Sequence, residues 1–379
     1  MARRAKARKT PDPAGNFVSE WFGHRVYPSV KCGPSTLGDQ KTQRCPFLTA
    51  ALHENVECVK SETSKGVCTI SSTSNGPRQD WLVCPHRALV PAVVDDAARR
   101  LFCPKGGTPF VVPAPTLRLP KVQSMVAKAL KEGVTVVTYL RSQLGGEVSI
   151  SKTERSPEMS FDMTMVQLLD AKDGCAVGRY GIIETQTMDF HGSYRHAVKN
   201  VTDALRLHGK SFHKVLGENV GWLCEGVEGP NIANVFKRTF YQMIFKFRLA
   251  ELEACAGCVL AIPTAVWDSW QRHLGKPELV PCGGSVFEMR AGEGTKRSKA
   301  QGPAWIYVFE PRAASDATPN PIRLERVVAT DADSVAHFAL RVAPEAAVGA
   351  GGSADSLPAR ILSRLTEWWP ALVLSSDYR

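Results

Sequence analysis

No stretch of these 379 residues stays apolar long enough to cross a bilayer, so a chain of membrane-spanning helices is excluded and no membrane partner is expected. The opening MARRAKARK is basic but lacks the apolar segment and small-residue cleavage site of a secretory leader. It reads as a flexible basic arm, residues 1–15, that adds phosphate contacts. No internal repeat is evident, which sets aside solenoids and propellers. Acidic residues are the scarcer charge, 37 against 47 Lys and Arg, and the net +10 favours a polyanionic partner because phosphate contacts release condensed counterions. The same excess is compatible with a role in solubility alone. With no export signal, the eleven cysteines point to a reducing cytoplasm, where clustered thiols indicate metal ligation rather than disulfides.

What is present changes character along the chain. Residues 16–103 hold six of the eleven cysteines among Ser, Thr, Gly and Pro, a composition suited to short strands and turns around a metal. From 104 to 345 helices alternate with strands, which predicts a mixed α/β main domain. Val122, Met125, Val126 and Leu130 share one face of an amphipathic helix that Gly133 can end. EGTKRSKAQGP, residues 293–303, reads as an exposed basic loop, and AWIYVFEP as a strand. Residues 346–379 read as a flexible linker, AAVGAGGSADS, followed by a helix in ARILSRLTEWW that docks back on the surface.

Two short stretches carry the acids. In SFDMTM the apolar Phe161, Met163 and Met165 alternate with Ser160, Asp162 and Thr164, the period of a half-buried strand, so Asp162 faces the polar side. GIIETQTM repeats the alternation, with Glu184 and Gln186 on one side and Ile183 and Thr185 on the other. Adjacent strands in these registers bring an Asp, a Glu and a Gln to one edge, and Glu147 can add a carboxylate from a preceding turn or helix end. Such oxygens suit a hard divalent cation that also takes a phosphate ligand. Single acids on strands are otherwise solvated.

Cys45, Cys58, Cys68 and Cys84 lack the short C-x-x-C knuckles of a common zinc finger, so their spacing fits buried thiols as well as a metal site. The lone C-x-x-C of Cys255 and Cys258 is a weak signal, and no function attaches to it. In NVFKRTFYQMIFKFRLAELEA, Phe236, Phe240, Met243 and Phe247 form a core-facing helical stripe. Lys237, Arg238 and Lys246 lie off it, on a face that is solvated or meets phosphates.

The acidic pair, with Pro157 upstream, resembles a variant of the PD-(D/E)xK nuclease motif, with Gln186 where Lys is usual and Asp162 displaced from the Pro. Longer strings, EWFGHRVYP, RCPFLTAA, KSETSKGVC, DWLVCPHRAL, LGGEVSISKT, RYGIIETQTMDFHGSYRHAV, EGPNIANVFKRTFYQM and WDSWQRHL, resemble the NotI-like type II restriction endonucleases in order along the chain. The resemblance implies a PD-(D/E)xK core, a mixed central sheet flanked by helices, with a small N-terminal four-cysteine metal module. It implies a bacterial cytoplasmic homodimer that cuts duplex DNA with Mg2+ at a GC-rich palindrome of the GCGGCCGC or nested CGGCCG type. The ends are 5′-phosphate and 3′-hydroxyl, and a cognate DNA methyltransferase protects the host site.

Catalytic roles then fall on Asp162, Glu184, Gln186 and Glu147, with Mg2+ held by Asp162, Glu184 and the Thr185 carbonyl. Gln186 is no base and orients water or touches a phosphate oxygen. The resemblance also places structural iron on Cys45, Cys58, Cys68 and Cys84, a thiolate set that from first principles suits zinc equally. Position alone nominates DNA contacts: Lys152, Glu154, Arg155 and Ser156 in the loop between Glu147 and Asp162, then His191, Tyr194, Arg195 and His196, with Lys237 and Arg238. Arg or Lys reaches guanine O6 and N7 and a carboxylate accepts from cytosine N4, so these types suit a GC site. The competing readings are a DNA-binding protein of the same fold that does not cleave, and a repair or RNA-directed nuclease.

Overall fold

The structure is a computed structural model that describes residues 15–28, 32–74, 76–172, 174–289, 291, 304–311, 319–349 and 351–375. The basic arm through residue 14 and the basic loop at 293–303 lie outside the described residues.

The N-terminal region forms a four-stranded antiparallel sheet from Phe17–Trp21 (β1), His24–Arg25 (β2), Val67–Ser72 (β3) and Gln79–Leu82 (β4), in the order β2-β1-β3-β4. The helix Pro46–Leu52 (α1) lies within it in sequence, and Pro91–Phe102 (α2) follows. A nine-stranded sheet then organises the rest: Phe110–Pro113 (β5), Val136–Arg141 (β6), Met163–Ala171, Gly174–Thr185, Cys255–Pro263, Leu279–Gly283, Val286–Met289, Ala304–Pro311 and Ile322–Thr330. A separate hairpin of Val148–Ile150 (β7) and Met159–Phe161 (β8) precedes the third of these, so the remaining strands are numbered β9 to β15 in chain order. Their spatial order is β12-β13-β15-β14-β11-β10-β9-β6-β5. Parallel and antiparallel pairs are mixed, with β10 antiparallel to β9 and parallel to β11. The fold is therefore α/β, a large mixed central sheet flanked by helices.

The expected helix after Pro115 is present as Pro120–Lys131 (α3), and AWIYVFEP is strand β14. Further helices include Arg195–His208 (α4), the long Ile232–Leu249 (α5) and Leu357–Leu365 (α6).

The central strands are apolar on both faces because both are covered. Ile182, Leu260 and Ile306 point into a core shared with Phe236, Met243 and Phe247 of α5 and with the N-terminal Trp21 and Phe22. Ile183, Val259 and Tyr307 point the opposite way, into a core shared with Val93, Ala97 and Leu101 of α2 and with Cys45, Cys68 and Cys84. The cysteine-bearing segment thus packs on the sheet through both cores. Gly181 lets α2 sit close, since a Cβ there would come within 2.9 Å of Leu101 Cδ1.

Two expectations for the C-terminal region are corrected. The linker stretch is partly helical, since Ala343–Val348 runs into it and Ser353–Ser356 forms a 3-10 turn; its alanines favour helix as strongly as its glycines oppose it. The helix α6 does not dock, for none of its residues is buried, and Trp368 and Trp369 beyond it are exposed. Among the described residues no helix is long and apolar enough to cross a membrane.

Candidate active site

Strands β9 and β10 pair antiparallel until Ile183 meets Met163, and there the backbone ladder stops. Asp162 and Glu184 occupy the next opposed positions and replace the missing rungs with side chains. The Asp162 N–H donates to Glu184 Oε1 at 3.1 Å, and the Thr185 N–H donates to Asp162 Oδ2 at 2.9 Å. Each carboxylate is thereby aimed by the backbone beside the other. The expectation of one unbroken alternating strand through SFDMTM is corrected: β8 ends at Phe161 and β9 starts at Met163, so Phe161 packs into one core and Met163 and Met165 into the other. Both line a cleft of about 580 Å³ together with Glu147, Thr185 and Gln186. Glu147 is on an exposed loop after β6, opening the hairpin β7–β8, and not at a helix end.

Burial is the main force on Glu184, and the neighbouring Asp162 charge adds to it, so its carboxyl is pushed up to about 7 against the opposing pull of Lys246. Two close oxygen-donor groups are the kind a hard divalent cation takes. The cleft also has cationic walls. Arg141 at the end of β6 is buried, its Nη1 has no hydrogen-bond partner, and burial pulls its guanidinium below the usual range against the opposing charges of Asp162, Cys84, Glu147 and Glu184. His86 is driven down to about 3 by burial and by the charges of Arg141 and Lys60, which keeps it neutral.

The helix α5 closes one side. Thr239 donates to Gln186 Oε1 at 2.7 Å, while Gln186 Nε2 donates to the Thr187 carbonyl at 2.6 Å. The Gln186 amide is thus held at both ends by protein, tying β10 to α5. Lys246, on the same helix, is only 2% exposed and sits 2.7 Å from Glu184 Oε2. The reading of Lys246 as part of a solvated face is corrected here. The signal was available: Thr239, Met243 and Lys246 are spaced by four and then three residues, one face of a helix, so the apolar stripe and the lysine share a side.

The proposed DNA contacts divide. Lys152, Glu154 and Arg155 are exposed and Ser156 half-buried at the tip between β7 and β8, whose base adjoins the cleft. His191, Arg195 and His196 are exposed beyond the carboxylate strand, and Tyr194 is half-buried against Phe190. Lys237 and Arg238 are exposed on α5; Arg238 lines the cleft and pairs with Asp189 at 2.6 Å.

The four cysteines lie near one another. The Cys45 N–H donates to the Val56 carbonyl and the Cys58 N–H to that of Gln43, so these two sit diagonally on paired backbone, and Cys45 also interacts with Cys84. Cys68 ends up beside Cys84 because the Val83 N–H donates to the Cys68 carbonyl as β3 and β4 pair. The ammonium of Lys60 caps this pair, donating to the carbonyls of Val67 and Val83. The Cys68 thiol donates to Cys84, which outweighs burial and, with Lys60, pulls Cys84 down to about 6. Cys45 is pushed up to about 12 by burial, to which Cys84 and Cys58 add, against the Leu48 and Phe47 N–H groups that it receives. Among the described residues no three or more His, Cys, Asp or Glu are gathered tightly enough to hold a metal ion. The thiols therefore share a neighbourhood without ligand spacing, and the four-cysteine metal site that the resemblance implies is not assembled among the described residues.

Compared with family models and with curated proteins, the chain finds no match.

Proposed function

We propose that this chain is a type II restriction endonuclease of the NotI-like kind, built on a PD-(D/E)xK core and cutting both strands of a GC-rich palindrome. The observation that carries the reading is the opposed placement of Asp162 and Glu184 where β9 and β10 part, each fixed by the other's backbone, in an open cleft with basic walls. The net charge of +10 supports a nucleic-acid substrate. A palindromic site calls for two-fold symmetry, hence a homodimer, and a host carrying such an enzyme needs a protecting methyltransferase.

Asp162 and Glu184, with the Thr185 carbonyl, would hold Mg2+, which when bound supplies Lewis-acid charge at the scissile phosphate. The chain's own task is positioning. Water attacks phosphorus in line, the P–O3′ bond breaks with its electron pair going to O3′, O3′ takes a proton from solvent, and the attacking water loses one to solvent. The products are a 5′-phosphate and a 3′-hydroxyl. Gln186, neutral and tied to α5 through Thr239, would orient the attacking water or touch a phosphate oxygen. Cys45, Cys58, Cys68 and Cys84 would hold structural iron or zinc, which leaves no open ligand position for substrate.

The test is incubation with plasmid and genomic DNA plus Mg2+, followed by sequencing of the ends. Discrete fragments sharing one GC-rich palindrome are expected. Binding without cutting would favour the non-cleaving DNA-binding reading instead.

A further inference from the structure

We infer that Lys246 is a catalytic residue of this site, the fixed cation that touches the scissile phosphate, delivered by a helix and not by the strand that carries the acids. The inference rests on the nuclease reading. Lysine is almost never buried without a partner, because desolvating an ammonium costs several kcal/mol. Here the side chain is 2% exposed, its Nζ lies 2.7 Å from Glu184 Oε2 and 5.7 Å from the centre of the Phe161 ring, and it borders the cleft. A phosphodiester entering beside Asp162 and Glu184 meets two carboxylates and needs compensating charge at that point.

The other side chains at hand supply it less directly. Gln186 is uncharged and both ends of its amide are engaged. Arg238 is exposed and paired with Asp189. Arg141 faces four anionic groups at once, Cys84 among them. Lys246 spends one of its three N–H donors on Glu184 and is among the residues that line the cleft. Its position is held from both directions: Met243 and Phe247 on either side of it along α5 are buried in the core, and Thr239 ties the same helix to Gln186. The part of Lys246 is to stabilise charge that builds on the non-bridging phosphate oxygens as the P–O3′ bond lengthens.

The experiment compares wild type with Lys246→Met, Lys246→Gln and Lys246→Arg on a duplex containing GCGGCCGC. Single-turnover cleavage is measured in Mg2+ at saturating enzyme, binding in Ca2+, and melting by calorimetry. Lys246→Met and Lys246→Gln should cut about 100-fold or more slowly with Kd within about threefold of wild type, and Lys246→Arg should recover to within about tenfold. If Lys246→Met does not fold, Lys246→Gln, which keeps a hydrogen bond to Glu184, carries the comparison. Cleavage by either neutral variant at the wild-type rate overturns the inference and leaves the nuclease reading standing. So does a loss of binding and melting that Lys246→Arg fails to restore, which marks a structural lysine. A wild-type protein that cuts neither this duplex nor genomic DNA overturns both readings together.

Discussion

Two clusters of ionisable groups lie a short step apart, since Cys84 is followed by Pro85 and His86, which line the carboxylate cleft. They differ in what surrounds them. Asp162 and Glu184 sit where two strands part and line a cleft, with Arg141 and Lys246 in its walls, so the site is polar and charged although Glu184, Arg141 and Lys246 are themselves buried. Cys45, Cys68 and Cys84 are buried among Phe47, Leu48 and Leu82, and their hydrogen bonds run to one another and to backbone. A site that acts on a substrate keeps a side open and holds unbalanced charge; a site that holds a fold together is enclosed. Arg141 spans the two, influenced by Cys84 on one side and by Asp162 and Glu184 on the other.

That contrast is broken most sharply at the acids. Asp162→Ala or Glu184→Ala should reduce cleavage by about 10³-fold or more, while duplex binding in Ca2+ changes little. Loss of binding in step with cutting would give these residues a structural role. Cys84→Ser or Cys45→Ser should act on the other cluster alone, lowering bound iron or zinc by elemental analysis and melting by at least about 5 °C. Unchanged metal content and melting would remove the reading of a structural metal.

The pH dependence sharpens the comparison further. Glu184 has its carboxyl raised to about 7 from an ordinary 4.5, so between these values the folded chain holds a proton the unfolded chain has released. Its contribution to the metal-free protein's stability is therefore fully present below about 4.5 and lost as pH rises through 7. Cation binding needs the ionised carboxylate and runs the other way. At subsaturating Mg2+, cleavage should rise up to tenfold per pH unit to about 7 and then level, with more Mg2+ moving the break to lower pH. A flat profile between pH 5 and 8 would contradict the assignment. The smallest effect is expected at Arg238→Ala: melting within about 1 °C, and a salt dependence of binding lowered by about one unit of log–log slope.

Glu184 is legible in the alternation of its own strand, whereas Asp162 sits at the break between β8 and β9, where Phe161 packs into one core and Met163 and Met165 into the other. The break in the β9–β10 ladder, which turns two polar strand positions into one site, depends on pairing register and is not written in either strand alone. Lys246 is legible only from its helical spacing to Thr239 and Met243, because a charge beside an apolar stripe reads by default as a solvated face. The mixed sheet follows from the alternation of helices and strands, but the sharing of both cores by the cysteine-bearing segment arises from long-range packing that composition does not encode.

The central claim is that this chain cuts DNA at one palindrome using the carboxylates of Asp162 and Glu184. Digesting genomic DNA with the purified protein in Mg2+ and sequencing every end tests it most directly. The account predicts discrete fragments whose ends share a GC-rich palindrome and carry 5′-phosphates, with none from Glu184→Ala. Intact DNA, or ends with no common sequence, would contradict it.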